Sequence, residues 1–129
     1  MSEPLTIAPT SGDSSRKPRD VLELLAQWSL PSAPRSIEAR LFWLTRGKGT
    51  EDVGVVATAL VPAPGAHGTH RVRFTLPEAP YSFSGRLISL IWAVELVADN
   101  TAAARWEFVL APEGREILLQ QPTDATRLR

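Results

Sequence analysis

The chain has 129 residues, 43% of them hydrophobic, and 14 basic side chains balance 14 acidic ones to a formal net charge of zero. That is enough apolar material for one folded domain, and it excludes both a disordered chain and the strong basic excess of a dedicated nucleic-acid binder. Cysteine is absent, which excludes disulfides, a thiolate nucleophile and a cysteine-based zinc site, and fits a reducing, cytoplasmic setting.

Residues 1–19 are rich in Ser, Pro, Thr and charge without an apolar period, and are read as a mobile arm. They hold no apolar stretch of the kind a secretory signal needs. Residues 122–129, "PTDATRLR", read as a second short tail. The folded unit is then 20–121.

The first segment of that unit, "DVLELLAQWSL", carries two periods. Leu22, Leu24, Ala26, Trp28 and Leu30 alternate as in a strand, whereas Val21, Leu24, Leu25 and Trp28 fit a helical stripe behind an Asp20/Glu23 cap. A short isolated helix is marginal, so the strand is favoured and the helix remains the alternative.

From there period-two alternation recurs. In "SIEARLFWLT", Ile37, Ala39, Leu41 and Trp43 share one face, with Glu38 and Arg40 on the other beside Phe42 and Leu44. In "DVGVVATALV", Val53, Val55, Ala57, Ala59 and Val61 share a face. In "HRVRFTL", Val72, Phe74 and Leu76 point inward. In "RLISLIWAVELVA", Ile88, Leu90, Trp92, Val94 and Leu96 do. In "ARWEFVLA", Ala104, Trp106, Phe108 and Leu110 alternate with Arg105 and Glu107. "REILLQ" adds an edge strand. Alternation of this kind marks strands buried on one face. Gly-, Pro-, Asn- and Asp-rich turns separate the runs. Together they predict an all-β antiparallel sandwich of immunoglobulin-like type with about 6–8 strands. The longest apolar run, "LISLIWAVELVA", contains Glu95 and is shorter than the ~20 residues of a spanning helix, so no membrane insertion is expected.

Motifs for chemistry are weak. His67 and His70 in "AHGTH" have the spacing of half a metal site, but no ligand set completes it, and they are read as loop histidines. "RGKGTED" lacks the spacing of a phosphate loop and reads as a strand-connecting turn. Glu95 and Glu107 are placed as cross-strand neighbours on the wet face. No catalytic residue, metal or cofactor is assigned. The four tryptophans, Trp28, Trp43, Trp92 and Trp106, all fall on inward faces and are expected in the core.

One stretch carries a resemblance. "RFTLPEAPYSFSGRLISLIWAVELVAD" resembles the arrestin-like sandwich domains, in which a strand ending in Leu-Pro leads through a Pro/Ser loop and a glycine into a long apolar strand with a central aromatic. Here those elements are Phe74, Leu76, Pro77, Pro80, Ser82, Phe83, Gly85, Ile88, Leu90, Trp92 and Val94. "LFWLTRGKGTEDV" is similar to the long strand and glycine turn of bacterial relatives in that superfamily. The resemblance implies an arrestin-like sandwich in a group of non-catalytic scaffolds and adaptors. It does not extend to the charged residues of the arrestin phosphate sensor.

The function expected from these readings is a cytoplasmic, bacterial protein-interaction module, an adaptor or assembly subunit. Its partner is a protein, with homo-oligomerisation permitted and no nucleic acid involved. The expected contacts are Arg46, Lys48, Glu51 and Asp52 in the turn, and Phe42, Leu44 and Ile91 on the second face. The competing readings are a β-domain binding carbohydrate or lipid, which needs a concave pocket, and a hydrolase.

Overall fold

The computed structural model describes residues 4–10, 12, 15–47, 51–85, 88–112 and 117–118. Their ten strand segments are β1 (Leu5–Pro9), β2 (Ser15–Arg16), β3 (Val21–Ser29), β4 (Ile37–Gly47), β5 (Val53–Leu60), β6 (His67–Thr75), β7 (Phe83–Ser84), β8 (Ile88–Ala98), β9 (Thr101–Leu110) and β10 (Ile117–Leu118). Three of them, β2, β7 and β10, are two-residue stubs, so seven strands of useful length carry the fold, within the range expected.

The strands form two sheets. The small sheet has the order β1-β3-β6, and every pairing in it is antiparallel. In the large sheet β5 pairs β4 and β4 pairs β8. The far edge of β8 is shared: β7 takes Ser89 and Leu90, and β9 takes Trp92 to Ala98. The short β2 runs parallel to the end of β9, and β10 runs parallel to β7. The all-β sandwich read from alternation is the observed fold.

The core lies between the two sheets, where the alternation put it. Leu22, Leu24, Ala26 and Trp28 of β3 face Ile37, Ala39 and Leu41 of β4 and Trp92, Val94 and Leu96 of β8 in one buried cluster. The ambiguous segment is thus a strand, and its inward set is the one its strand period named. Trp92 is fully buried, packs against Phe108 with ring centroids 6.1 Å apart, and donates its indole N–H to the Pro80 carbonyl at 2.7 Å. A bulky buried ring with its single polar atom satisfied is a stable core anchor. The other tryptophans also turn inward. Trp28 bonds the Gly65 carbonyl at 2.9 Å, and Trp43 and Trp106 pack partly buried against the same cluster.

Two of these rings require a facing glycine. A Cβ on Gly54 would lie 2.3 Å from Trp43, and one on Gly68 would lie 2.8 Å from Trp28. The indoles therefore occupy the space that a side chain on the neighbouring strand would take. The β8–β9 turn has a similarly local cause. Asp99 and Asn100 have φ of 50° and 64°, the left-handed pair of a tight hairpin that Asn and Asp tolerate best. The Asp99 carboxylate also accepts from the Arg35 and Ser36 amides at 2.7 and 3.1 Å, which ties this turn to the start of β4.

Several expectations are corrected. Residues 1–19 are not simply an arm, because Leu5–Pro9 forms β1 along β3 and buries Leu5 and Ile7. Two apolar side chains two apart are enough to seat an edge strand on an existing sheet. The 122–129 tail lies outside the described residues. In β5 the five residues read as sharing one face are divided between two. The register slips between Leu41 and Phe42, so Leu41 pairs Ala57 while Phe42 pairs Val55, and Val56 is left unopposed. Such a bulge switches the parity of the strand. Ala57, Ala59 and, just after the strand, Val61 face the core, whereas Val53 and Val55 turn out and are 62% and 58% exposed. Ile88, at the open start of β8, is exposed rather than in the core. His67 and His70 stand on β6, not in a loop, and His67 Nδ1 lies 2.8 Å from Ser29 Oγ.

Two measurements test this packing. Trp92→Ala should lower the unfolding free energy by about 3–5 kcal/mol, read from denaturant midpoints. The second concerns Glu23, which joins all three regions of the small sheet. Its carboxylate accepts from Arg73 of β6 at 3.0 Å and from Thr10, just after β1, at 3.0 Å. The Arg73 guanidinium, and then the Thr10 hydroxyl, hold the Glu23 carboxyl below its ordinary range. A carboxylate depressed on folding adds stability above its unfolded pKa of about 4.3 and loses it as pH falls through the lower folded value. The thermal midpoint should therefore fall on acidification within that acidic window, and Glu23→Gln should flatten the fall.

Candidate interaction face

The face of the large sheet turned away from the core is set by the same alternation. On β4 the outward residues are Glu38, Arg40, Phe42, Leu44 and Arg46, and the register places them opposite Val97, Glu95, Ala93, Ile91 and Ser89 of β8. The middle of this face is therefore apolar, flanked by Arg40 and Glu95 on one side and Arg46 on the other. In this apolar middle Phe42, Leu44 and Ala93 form a second buried cluster, separate from the main core, with Ile91 packed against it. Val55 pairs Phe42 and Val53 pairs Leu44, so the exposed valines of β5 carry the apolar surface out to the sheet edge.

Charge borders the cluster on the β9 side. The Arg105 guanidinium sits 5.2 Å from the centroid of the Phe42 ring and bonds Glu95 at 3.0 Å. A cation over an aromatic face is attracted by the ring quadrupole and shields the ring from water. Arg105 also approaches Glu107 at 3.9 Å, and Glu107 in turn pairs with Arg46. Because Arg46 lies on β4 and Glu107 on β9, this ion pair reaches across β8. Glu95 and Glu107 are not direct neighbours, as expected, but diagonal ones. Glu95 opposes Arg105 and Glu107 opposes Ala93, with Arg105 touching both carboxylates.

The expected contact residues divide accordingly. Phe42, Leu44 and Ile91 are brought together as one patch. Arg46 is not a free loop charge: β4 runs on through Gly47, and Arg46 is committed to Glu107. Gly47 has φ of 146°, a region open to glycine. Glu51 and Asp52 are exposed at the return, where the Asp52 amide donates to Thr45 Oγ1 at 2.9 Å. Lys48 lies outside the described residues.

Beside the patch, where β7 and β9 separate along β8, is a cleft of about 300 Å³ lined by Ser82, Ser84, Ser89, Ile91 and Glu107 among others. Sequence reasoning missed this cleft, because it arises where two strands share one edge of a third. Ser82 is buried there, and its hydroxyl accepts from the Leu110 amide at 2.9 Å. Among the described residues no group of His, Cys, Asp or Glu is placed to hold a metal ion. Among the same residues no helix is long and apolar enough to cross a membrane.

No protein-family model matches the chain, and no curated protein matches it in sequence. Solved structures do match in shape. The sporulation control protein Spo0M of Bacillus subtilis superposes with a TM-score of 0.51 over 99% of this chain, at 12% identity. The chain has that protein's arrestin-like fold and spans about half its length, 54%. A DNA-bound alkylpurine DNA glycosylase, AlkC of Pseudomonas fluorescens, overlaps 82% of the chain and 29% of its own at a TM-score of 0.38 and 14% identity, too weak a match to carry an argument.

The rim makes one prediction. Arg46 and Glu107 are both more than a third exposed, and exposed pairs contribute ~0–1 kcal/mol after screening. Arg46→Ala should therefore leave the denaturant midpoint almost unchanged, whereas Phe42→Ala on the same strand should lower it clearly.

Proposed function

We propose that this chain is a non-catalytic protein-interaction module, an adaptor or assembly subunit acting in the cytoplasm, and that it binds its partner on the outer face of the large sheet. The observation that carries the proposal is the second apolar cluster. Phe42, Leu44, Ala93 and Ile91 gather on the face away from the core and continue into Val53 and Val55, which are exposed. The exposed part is the Val53/Val55 flank, with the buried Phe42, Leu44 and Ala93 beneath it and a charged rim beside it, and an apolar patch bordered by charge is the usual anatomy of a docking site. The rim of Arg46, Glu107, Arg105 and Glu95 would set orientation and association rate more than affinity. The fold supports this reading by analogy only: Spo0M is a control protein by its description, and an enzyme is not implied.

A capture experiment in the source organism tests it. The full chain should retain a reproducible protein partner, and Ile91→Asp, which leaves the main core untouched but puts a charge into the outer cluster, should lose that partner at a temperature where circular dichroism still shows the folded β spectrum, below a lowered thermal midpoint. Undiminished capture by the variant would overturn the proposed face.

The serine-lined cleft favours a second reading, a small polar ligand held between β7 and β9. Native mass spectrometry of the purified chain distinguishes the two. A bound small molecule lost on Ser89→Trp supports the cleft and not the face.

A further inference from the structure

The free strand edges of the sandwich are not equivalent. The edge of the small sheet formed by β6 carries His67, His70, Arg71 and Arg73. The opposite edge, β1, is five residues long and ends in Pro9. On the large sheet, β9 carries Arg105 and Glu107, and β2 covers its last residues. These are the ordinary devices that keep an edge from pairing with another chain: charge, proline, shortness and cover. The remaining long edge among the described residues, β5, has little of this. Its eight residues, "VGVVATAL", contain neither a charge nor a proline, and Val53, Val55, Val56 and Leu60 are all exposed. Its one irregularity is the bulge at Val56.

We propose that β5 pairs with β5 of a second copy of this chain, antiparallel about a two-fold axis between Val56 and Ala57. The proposal does not rest on the adaptor reading.

The argument for a second copy is one of complementarity. An uncharged edge meets its own image without like-charge repulsion, whereas two β6 edges would bring arginines together. The side-chain pattern then selects the register. Val53, Val55, Thr58 and Leu60 belong to the outer face, since they oppose Leu44, Phe42, Arg40 and Glu38. Gly54 and Ala59 belong to the inner face, opposite Trp43 and Ala39. With the axis placed as proposed, Val53 faces Leu60, Gly54 faces Ala59 and Val55 faces Thr58 of the other copy. Outer residues meet outer ones and inner meet inner, as a shared pleat demands. Only the bulge positions disagree, and they meet at the axis, where symmetry places one bulge against the other. Moving the axis by half a residue sets Val53 against Ala59 or Gly54 against Leu60 and mismatches the faces. The pairing that uses all eight residues thus brings together Val53 and Leu60, 62% and 69% exposed. It is an isologous contact that closes at two copies. It also joins the two large sheets into one and sets their outer apolar clusters side by side.

The absence of cysteine from the chain makes a register-specific test simple. Val53 and Leu60 are too far apart along one strand, ~3.3 Å per residue, to form a disulfide within a copy. In the proposed dimer position 53 faces position 60 at the distance a disulfide spans. The double variant Val53→Cys/Leu60→Cys should crosslink rapidly to a covalent dimer under mild oxidation, and neither single variant should match it. In parallel, sedimentation of the unmodified chain over a concentration series should show a monomer–dimer equilibrium. Thr58→Lys/Leu60→Lys should weaken that equilibrium by roughly a hundredfold, having removed two apolar contacts at each of two symmetric places. Both of those side chains are exposed, and circular dichroism should confirm an intact fold. A chain that stays monomeric at every concentration, equal crosslinking by the single variants, or a dimer indifferent to the lysines would each overturn the proposal. Capture of a foreign protein through Ile91 would leave these readouts unmoved, so the two proposals fail separately.

Discussion

The pairing of β4 with β8 is the constraint from which the rest of the structure follows. Eleven register pairs run without a break from Ile37 against Ala98 to Gly47 against Ile88. Since side chains alternate across a strand, this one ladder decides at every step what enters the core and what leaves it. Ala39 with Leu96, Leu41 with Val94 and Trp43 with Trp92 turn toward the small sheet. Phe42 with Ala93 and Leu44 with Ile91 turn away from it. Slipping the ladder by one residue would exchange these sets and expose Trp92. The ladder is therefore held by packing on both of its faces, which is unusual for an antiparallel sheet with one face in water.

The candidate face is a product of that same double burial. A strand buried on one side needs apolar residues at every second position only. The runs "LFWL" and "LIWAV" are apolar at consecutive positions, so the surplus residues have to be accommodated on the outer face. Arg105 lying over Phe42, and the Arg46–Glu107 pair spanning β8, cover part of that surplus with the aliphatic and planar parts of charged side chains. Val53 and Val55 remain outside this cover.

This explains which parts of the architecture alternation could reveal. Strands β3, β4, β6, β8 and β9 were legible because each repeats its period over several residues between clear turns. The grouping of Phe42, Leu44 and Ile91 was legible because all three break the wet-face pattern on strands long enough to show one. Strand β1 was not legible: Leu5 and Ile7 are two apolar residues in a polar, proline-containing context, and only the waiting edge of β3 gives them a partner. The outward turn of Val53 and Val55 was hidden by the bulge, which is a property of the pairing with β4 and leaves no mark in the composition of β5. Arg46 read as a loop charge because Gly47 follows it, yet the glycine closes the strand rather than opening a loop.

The sheets also join residues that are far apart in sequence. Val21 pairs Thr75, Ile37 pairs Ala98, and Ser15 pairs Val109. During synthesis β3 leaves the ribosome well before β6 can cover its edge, and β4 waits for β8 across the whole of β5 and β6. Folding of such a topology is limited by the search for distant partners, and so is slow among domains of this size. In that interval the apolar faces of β3 and β4 are open to any other extended chain. Synthesis from the N-terminus thus places the greatest demand on chaperones between the emergence of β4 and that of β8, which pairs β4 and brings Trp92 into the core.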